Sequence, residues 1–358
     1  VTINNLIYKS DCLNFRGDLP CKPHKEFGVK CENCSYYTKT NKRILIVKLG
    51  AIGDVIRTTP LLEKISAEYP NSEIWWLSQY PDILPRTINK ILPFTTESIV
   101  LIENTEFDIV YGLDKDLPAV AITKKALAKE KYGFTLINGK PSPINELAQH
   151  KFNTGLFDDV NKANQKSYLE EIFEICGWKF EFQDYQINLE SNRKFEFEND
   201  GKKIIGLNTG CGDRWVSRLW PDEYWIELIS GLQNEGYYPI LLGGKQEDEK
   251  NTYFASKTGA YYPGNFSLKD FISLVNHTDL IVSAVTMGMH IATALKKPLI
   301  LMNNIFNKYE FELYGRGEII EPNKECKCFF SAKCKNSEYF CLESLNSDKV
   351  LTAIKKHV

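Results

Sequence analysis

The stretch Arg43–Leu62, RILIVKLGAIGDVIRTTPLL, constrains the fold of this chain more than any other. Its first part, Ile44 to Leu49, is short, apolar and rich in β-branched residues. After Gly50-Ala51-Ile52-Gly53-Asp54 the apolar positions Val55, Ile56, Leu61 and Leu62 recur at helical spacing. The pattern predicts a buried strand, a tight glycine loop and a helix. Gly50 and Gly53 permit a close backbone approach that a side chain would forbid, and the helix start offers unpaired N–H groups to whatever lies beyond the strand end. Asp54 stands in the mouth of this loop, as a helix N-cap or as a working carboxylate; the loop alone fits both. The glycine spacing is not G-x-G-x-x-G, so a nicotinamide-type fingerprint is absent.

Length bears on how many such units to expect. At 358 residues, with 43% hydrophobic and 25% charged residues, the chain has the size of two to three domains and the composition of an ordinary globular protein. Its 44 basic and 46 acidic residues leave a net charge of −2, which excludes a global field that would draw it onto nucleic acid. No apolar run approaches the roughly 18 residues needed to cross a bilayer, and VTINNLIYKSDC lacks the layout of a signal peptide. A cytoplasmic location is expected, with contact at the inner membrane surface and self-association left open.

Ten cysteines are many for a reducing compartment, and all but Cys176 and Cys211 fall in two terminal clusters. Clustering favours metal ligation over disulfides. Residues 1–42 carry Cys12, Cys21, His24, Cys31 and Cys34 as C-x8-C-x2-H-x6-C-x2-C; the four cysteines suffice for a tetrahedral site and His24 is spare. A segment this short has few large aliphatics, so a structural zinc, or alternatively iron or an iron–sulfur centre, gives it a reason to fold. A reduced thiol cluster packed on the next domain is the other reading. Near the C-terminus Cys326, Cys328, Cys334 and Cys341 form a second candidate set, or supply ligands to the first.

Between the clusters the chain alternates. Glu73–Leu77, Ile99–Ile102 and Asp108–Leu113 read as strands, Thr123–Lys131 as a helix, 134–157 as loop, and Ser167–Gly177 as an amphipathic helix with a glycine stop. After a polar stretch from Ile187 to Asn199 a second series follows. Strands are expected at Ile204–Leu207, Tyr238–Leu242, Leu280–Ser283 and Pro298–Met302, and helices at Asp222–Leu232, Gln246–Lys257, Leu268–Val275 and Gly288–Leu295. Strands alternating with helices imply two doubly wound parallel α/β sheets, with ligands beyond the carboxyl ends of the strands.

Three loops of the second half carry chemistry. NTGCGDRWVSRLWP (208–221) combines Thr209, Gly210, Arg214 and Arg218 between a strand and a helix, the backbone donors and fixed positive charge a pyrophosphate needs. Gly243-Gly244-Lys245-Gln246-Glu247 places a carboxylate where it can accept from ribose or sugar hydroxyls, or simply face a helix start. In SAVTMGMH (283–290), Thr286, Met287, Gly288 and Met289 lead into a helix and can offer N–H groups to phosphate, while His290 either binds phosphate or satisfies the loop.

Taken together, K-L-G-A-I-G-D, R-L-W-P-x-x-x-W, L-L-G-G-x-x-E and T-M-G-M-H-I-A-x-A-L resemble, in this order, glycosyltransferase family 9, the ADP-heptose:lipopolysaccharide heptosyltransferases and their relatives, over most of residues 43–356. The resemblance implies a GT-B fold of two Rossmann-like domains facing across a cleft. Residues 1–42 are then a cysteine-rich module, 43–190 the acceptor domain, 191–345 the nucleotide-sugar domain with the cluster 326–341, and 346–358 a helix crossing back to the first domain. It implies inverting, metal-independent transfer, favouring ADP-heptose as donor and a bacterial surface glycan or protein as acceptor. Asp54 takes the place of the general base and Arg218 that of a diphosphate-stabilising lysine, with Gly53, Glu247 and the segment from Thr286 to His290 around the donor. Some members that glycosylate autotransporter proteins look to hold iron at their C-terminal cysteines. One departure concerns the sugar: where heptosyltransferases carry aspartate this chain has Val285, which cannot contact donor hydroxyls as an acid would. A catalytically silent nucleotide-binding or assembly protein and a nucleotide-sugar epimerase are the alternatives; the retained Asp54, Arg218 and Glu247 argue for transfer, and an epimerase needs an acid/base pair not found here.

Overall fold

The structure, a computed structural model, describes residues 6–191 and 193–358. The first five residues of the expected 1–42 module, and Asn192, lie outside the described residues. By internal contacts the chain forms two compact units. The first runs through Gly50 and includes Leu61–Pro81 and Arg86–Gln149; the second comprises Ala51–Pro60, Asp82–Pro85 and His150–Val358.

In the first unit, the cysteine-rich segment holds one short helix, α1 (Lys22–Phe27), and among its described residues only Pro23 is buried. The sheet follows, from β1 (Arg43–Val47). The helix expected over Val55–Leu62 is two helices, α2 (Ile52–Ile56), which belongs to the second unit, and α3 (Leu61–Glu68) of the first, because the chain before Pro60 is pushed out of helical geometry and the Thr58 and Thr59 hydroxyls donate to the carbonyls of Asp54 and Ile56. Then come β2 (Glu73–Ser78), β3 (Lys90–Pro93), α4 (Thr96–Glu103), β4 (Glu106–Gly112), α5 (Leu117–Lys125), β5 (Leu127–Ile137) and β6 (Lys140–Pro143). Their order is β3-β2-β1-β4-β5-β6, parallel except for β6.

Three expectations are corrected here. Ile99–Ile102 lies inside α4: Thr95 caps the helix by accepting from Ser98 N–H, and burying Ser98 and Ile102 while Val100 and Leu101 face solvent is a helical pattern that an aliphatic run disguises. Thr123–Lys131 begins as helix but passes into β5, whose pairing with β4 overrides the local preference of its lysines. Residues 134–157, expected as loop, contain the β5–β6 hairpin, turned by Asn138 (φ 50) and Gly139 (φ 74).

The second unit opens with α6 (Gln149–Thr154), α7 (Asp158–Ala163) and α8 (Tyr168–Ile175), the last started by a reciprocal cap between Ser167 and Glu170. It continues as β7 (Ile204–Asn208), α9 (Asp222–Asn234), β8 (Tyr238–Leu242), α10 (Asp248–Thr258), α11 (Leu268–Asn276), β9 (Leu280–Ala284), α12 (Met287–Ala294), β10 (Leu299–Met302), β11 (Gly317–Ile320) and α13 (Ser347–His357). The parallel sheet has the order β11-β10-β9-β7-β8. α13, the helix expected to cross back, places Val350, Ala353 and Ile354 in one apolar cluster with Leu228 and Leu232 of α9, because these positions form its apolar stripe.

Each sheet reverses its strand order once, between β1 and β4 and between β7 and β9, and such switch points are where parallel sheets bind ligands. At the first, buried Asp114 accepts hydrogen bonds from Lys48 Nζ, Leu49 N–H and Gly50 N–H (2.7 Å to the last), so it holds the end of β1 as the chain enters the glycine loop. Lys48 is itself 3% exposed. Removing one partner of a buried pair costs about 3–5 kcal/mol because the other charge is stranded. Asp114→Asn is therefore expected to lower urea-unfolding stability by about that amount, and pairing it with Lys48→Met should recover part of the loss.

Candidate active site

Asp54 lies in the first turn of α2, and its side chain is one-third exposed. It does not cap the helix: Ala51 holds the cap position and makes no side-chain bond there. Asp54 Oδ1 instead pairs with Arg57 Nη2 at 2.7 Å, one turn along. The Arg57 guanidinium lies 3.5 Å from the ring centroid of Tyr168 in α8 and 3.8 Å from the buried Glu310 carboxylate. The three counter-groups Asp54, Tyr168 and Glu310 hold Arg57 protonated, although burial opposes it.

α2 packs on α12 at a point where no side chain fits: a Cβ on Gly53 would stand 2.5 Å from His290 Cδ2. His290 is buried, its Nδ1 has no partner, and the ring of Tyr185 stacks near it at 6.4 Å. Burial, helped by the nearby Arg57 charge and opposed by Asp54, lowers its pKa to about 3. His290 is thus a neutral packing partner of Gly53 in this structure, not a cation.

At the second switch point, Asn208 at the end of β7 donates to Ser283 Oγ and Thr286 Oγ1, each at 2.9 Å, tying the ends of β7 and β9 to the start of α12. Thr286 caps α12 by accepting from Gly288 N–H at 3.1 Å. Met287 begins the helix half-buried, Gly288 lies against Asn208, and Met289 is buried. Val285 precedes the cap, half-buried.

Beside this helix start, Glu247 crosses over Gly210, where a Cβ would meet its Oε1 at 2.0 Å, and accepts from Gly244 N–H at 2.9 Å. Thr209 turns inward to donate to Asn251 Oδ1 at 2.5 Å, leaving its backbone to the loop. Arg214 is exposed and lies 5.5 Å from the Trp215 ring. Arg218 is buried between Trp215 and Phe306, donates to Cys211 O at 3.0 Å, and keeps a buried Nε without a partner; desolvation lowers its pKa.

Its loop is braced from behind. Ser217 donates to Ser331 O at 2.6 Å and to Ala332 O through its N–H, while Asn304 bridges Ser217 O (2.8 Å) and Cys341 Sγ (3.5 Å). The C-terminal thiols that flank these bonds form two pairs, Cys328 with Cys334 at 3.6 Å and Cys326 with Cys341, and Lys335 N–H donates to Cys328 Sγ at 3.0 Å. None of the ten cysteines is in a disulfide. Cys12 bridges to Lys39, Cys21 precedes α1, and Cys31 and Cys34 bound one short 3-10 turn. Among the described residues no group of three or more His, Cys, Asp and Glu stands ready-made to hold a metal ion.

The residues that sequence reasoning missed are Arg57, Tyr168, Glu310, Asn208 and Asp114. Arg57 had a signal, its i+3 spacing from Asp54 on a short helix. Tyr168 and Glu310 reach it from remote segments and had none.

Comparison with known proteins accords with this geometry. The family model for glycosyltransferase family 9 (heptosyltransferase) matches residues 101–339. The lipopolysaccharide heptosyltransferase 1 of Campylobacter coli is 22% identical over 353 residues, spanning 88% of this chain and 98% of its own. The E. coli heptosyltransferase WaaC, solved with ADP-2-deoxy-2-fluoro heptose, superposes with a TM-score of 0.60 at 18% identity over 88% of this chain and all of its own. The iron-containing dodecameric glycosyltransferase TibC from enterotoxigenic E. coli does so with a TM-score of 0.56 at 13% identity over 89% and 76%.

The depressed pKa of His290 has a measurable consequence. An unfolded histidine takes up a proton near 6.5 and folded His290 near 3, so between these values the unfolded chain binds the extra proton. This contribution to stability is complete above the unfolded value and falls on acidification by up to about 1.4 kcal/mol per pH unit. Comparing urea unfolding at pH 7 and pH 5, His290→Phe should lose about 2 kcal/mol less than the wild type does.

Proposed function

This chain belongs to glycosyltransferase family 9, and we propose that it transfers a heptose from ADP-heptose to a hydroxyl of a bacterial surface glycan, with inversion. The observation that carries the reading is the contact of Gly53 with His290, which seats the helix bearing Asp54 against the helix whose start closes the donor switch point. Asp54 is the general base. It takes the proton of the acceptor hydroxyl as that oxygen bonds to the anomeric carbon, and the bond from that carbon to the diphosphate breaks with its electron pair leaving on ADP. Arg218, with a buried Nε lacking a partner, faces the charge that develops on the leaving diphosphate. The N–H groups at the start of α12 and of the Gly210 loop contact phosphate, and Glu247 accepts from a ribose or sugar hydroxyl. The donor bound by WaaC supports the choice of ADP-heptose. Val285 leaves part of the sugar without a charged partner.

A structural metal at the C-terminal thiols is part of the proposal; its support is their spacing and one close thiol pair, while the described side chains as they stand bring no three ligands together. The 3.6 Å separation of Cys328 and Cys334 is close to the roughly 3.8 Å edge of a tetrahedron with 2.3 Å metal–sulfur bonds, and the Lys335 N–H bond to Cys328 is the support such a thiolate receives. Cys326, Cys328, Cys334 and Cys341 would hold zinc, which suits four thiolates, or iron, which TibC contains. The metal would fix the segment that braces the Arg218 loop. For Cys12, Cys21, Cys31 and Cys34 the support is their spacing and the near-absence of buried residues around them.

Two measurements test these readings. Asp54→Asn should lower kcat for transfer from ADP-heptose by about 100-fold or more with the donor KM little changed; equal turnover by the variant would remove Asp54 as base. Metal analysis should find about one zinc or iron per chain lost in Cys328→Ser, with a raised donor KM; metal-free protein with an unchanged KM would overturn the assignment.

A further inference from the structure

We propose that Arg57 is a positioning residue for the transfer, a guanidinium suspended between Asp54 and Glu310 that aims the Asp54 carboxylate and holds it ionised. The proposal rests on reading Asp54 as the base. Ion pairs three residues apart on a helix are common and weak when both partners are solvated. This one is built differently. Arg57 is only 13% exposed, its plane rests on Tyr168, and a second carboxylate, 7% exposed, draws it from the other side.

The parts of this support are fixed by their own bonds. Asn161 donates to Glu310 Oε1 at 3.2 Å. The Tyr168 hydroxyl meets Thr58 Oγ1 at 3.0 Å, and that hydroxyl donates to the Asp54 carbonyl at 2.7 Å. The residue beneath Arg57 therefore also holds the backbone of Asp54. On the same ring sits Lys151, 5.0 Å from the centroid and paired with the buried Glu171.

One positive charge thus serves two carboxylates, of which only Asp54 is open enough to meet an acceptor. How strongly Arg57 favours ionised Asp54 depends on how much of it Glu310 claims. Two further groups near Asp54 carry no charge at neutral pH: His290 from α12 is neutral, and Tyr185, beside it and near Glu312, stays protonated because burial raises its pKa. The planar fork matters as well as the charge, because it pairs with Asp54 and Glu310 through different nitrogens.

The two ends of the suspension make opposite predictions. In Arg57→Gln the Asp54 carboxyl loses its cation, and the acid limb of kcat/KM should move up by about one pH unit or more, with kcat reduced. In Glu310→Gln, close to isosteric, Arg57 turns wholly to Asp54 and the limb should move down. Arg57→Lys should keep the limb near its wild-type position while kcat falls, since a point charge does not aim the carboxylate. Direct titration of carbon-13-labelled aspartates, with Asp54 assigned by its loss in Asp54→Asn, should show the same opposed shifts without any turnover. That readout separates the two claims: full activity of Asp54→Asn would remove the base, whereas an Asp54 titration unmoved in both Arg57→Gln and Glu310→Gln would overturn the role of Arg57. Should Arg57→Gln fail to fold, Glu310→Gln alone decides, by moving the titration down or leaving it in place.

Discussion

The close approach of Gly53 to His290 is the constraint on which the site depends. A single hydrogen in place of a side chain lets α2 lie against α12, and the contact is tight enough that even a methyl group would displace a buried ring. His290 pays for this seat with its charge, because an imidazolium could not be solvated there and would face Arg57. What the contact provides is placement. Asp54, one residue beyond Gly53, stands on the helix that meets α12, and Arg57, one turn further, finds Tyr168 and Glu310.

Polar groups held at the ends of the strands organise the rest. Asp114 gathers the N–H groups that leave β1, and Asn208 gathers the hydroxyls of Ser283, near the end of β9, and of Thr286, which caps α12. Both lie at switch points, where neighbouring strands send their connections to opposite faces and the backbone would otherwise be left unpaired. The Arg218 loop is handled in the same way by Ser217 and Asn304, which tie it to the cysteine segment. This gives the C-terminal cysteines a part in the architecture of the site even though none of them is near the proposed chemistry of Asp54 in sequence.

Much of the fold was legible in the residues, and the exceptions share a cause. Tyr238–Leu242 and the helices after β7 and β9 follow their apolar periodicity closely, because each buries one clear face in a parallel sheet. Ile99–Ile102 and Thr123–Lys131 did not, since a run of aliphatics has no period and a lysine-rich strand is accepted only where a neighbour such as β4 offers its hydrogen bonds. The strand Gly317–Ile320 was hidden by the aromatic segment before it, whose order comes from packing and not from local pattern.

The same division holds at the site. The sequence by itself determined the two parallel sheets, the glycine loop with its aspartate, the three glycine- and hydroxyl-bearing loops of the second half and the thiol clusters, because each is a local pattern of residue type and spacing that physical chemistry restricts to few structures. Only the tertiary structure decided that His290 is a buried neutral ring, that the Thr209 hydroxyl is engaged by Asn251, that Met289 is buried, and that Arg57 is shared between Asp54 and Glu310. These outcomes turn on burial and on partners from about 40 to more than 200 residues apart, and neither is encoded in any window of the chain short enough to read as a motif.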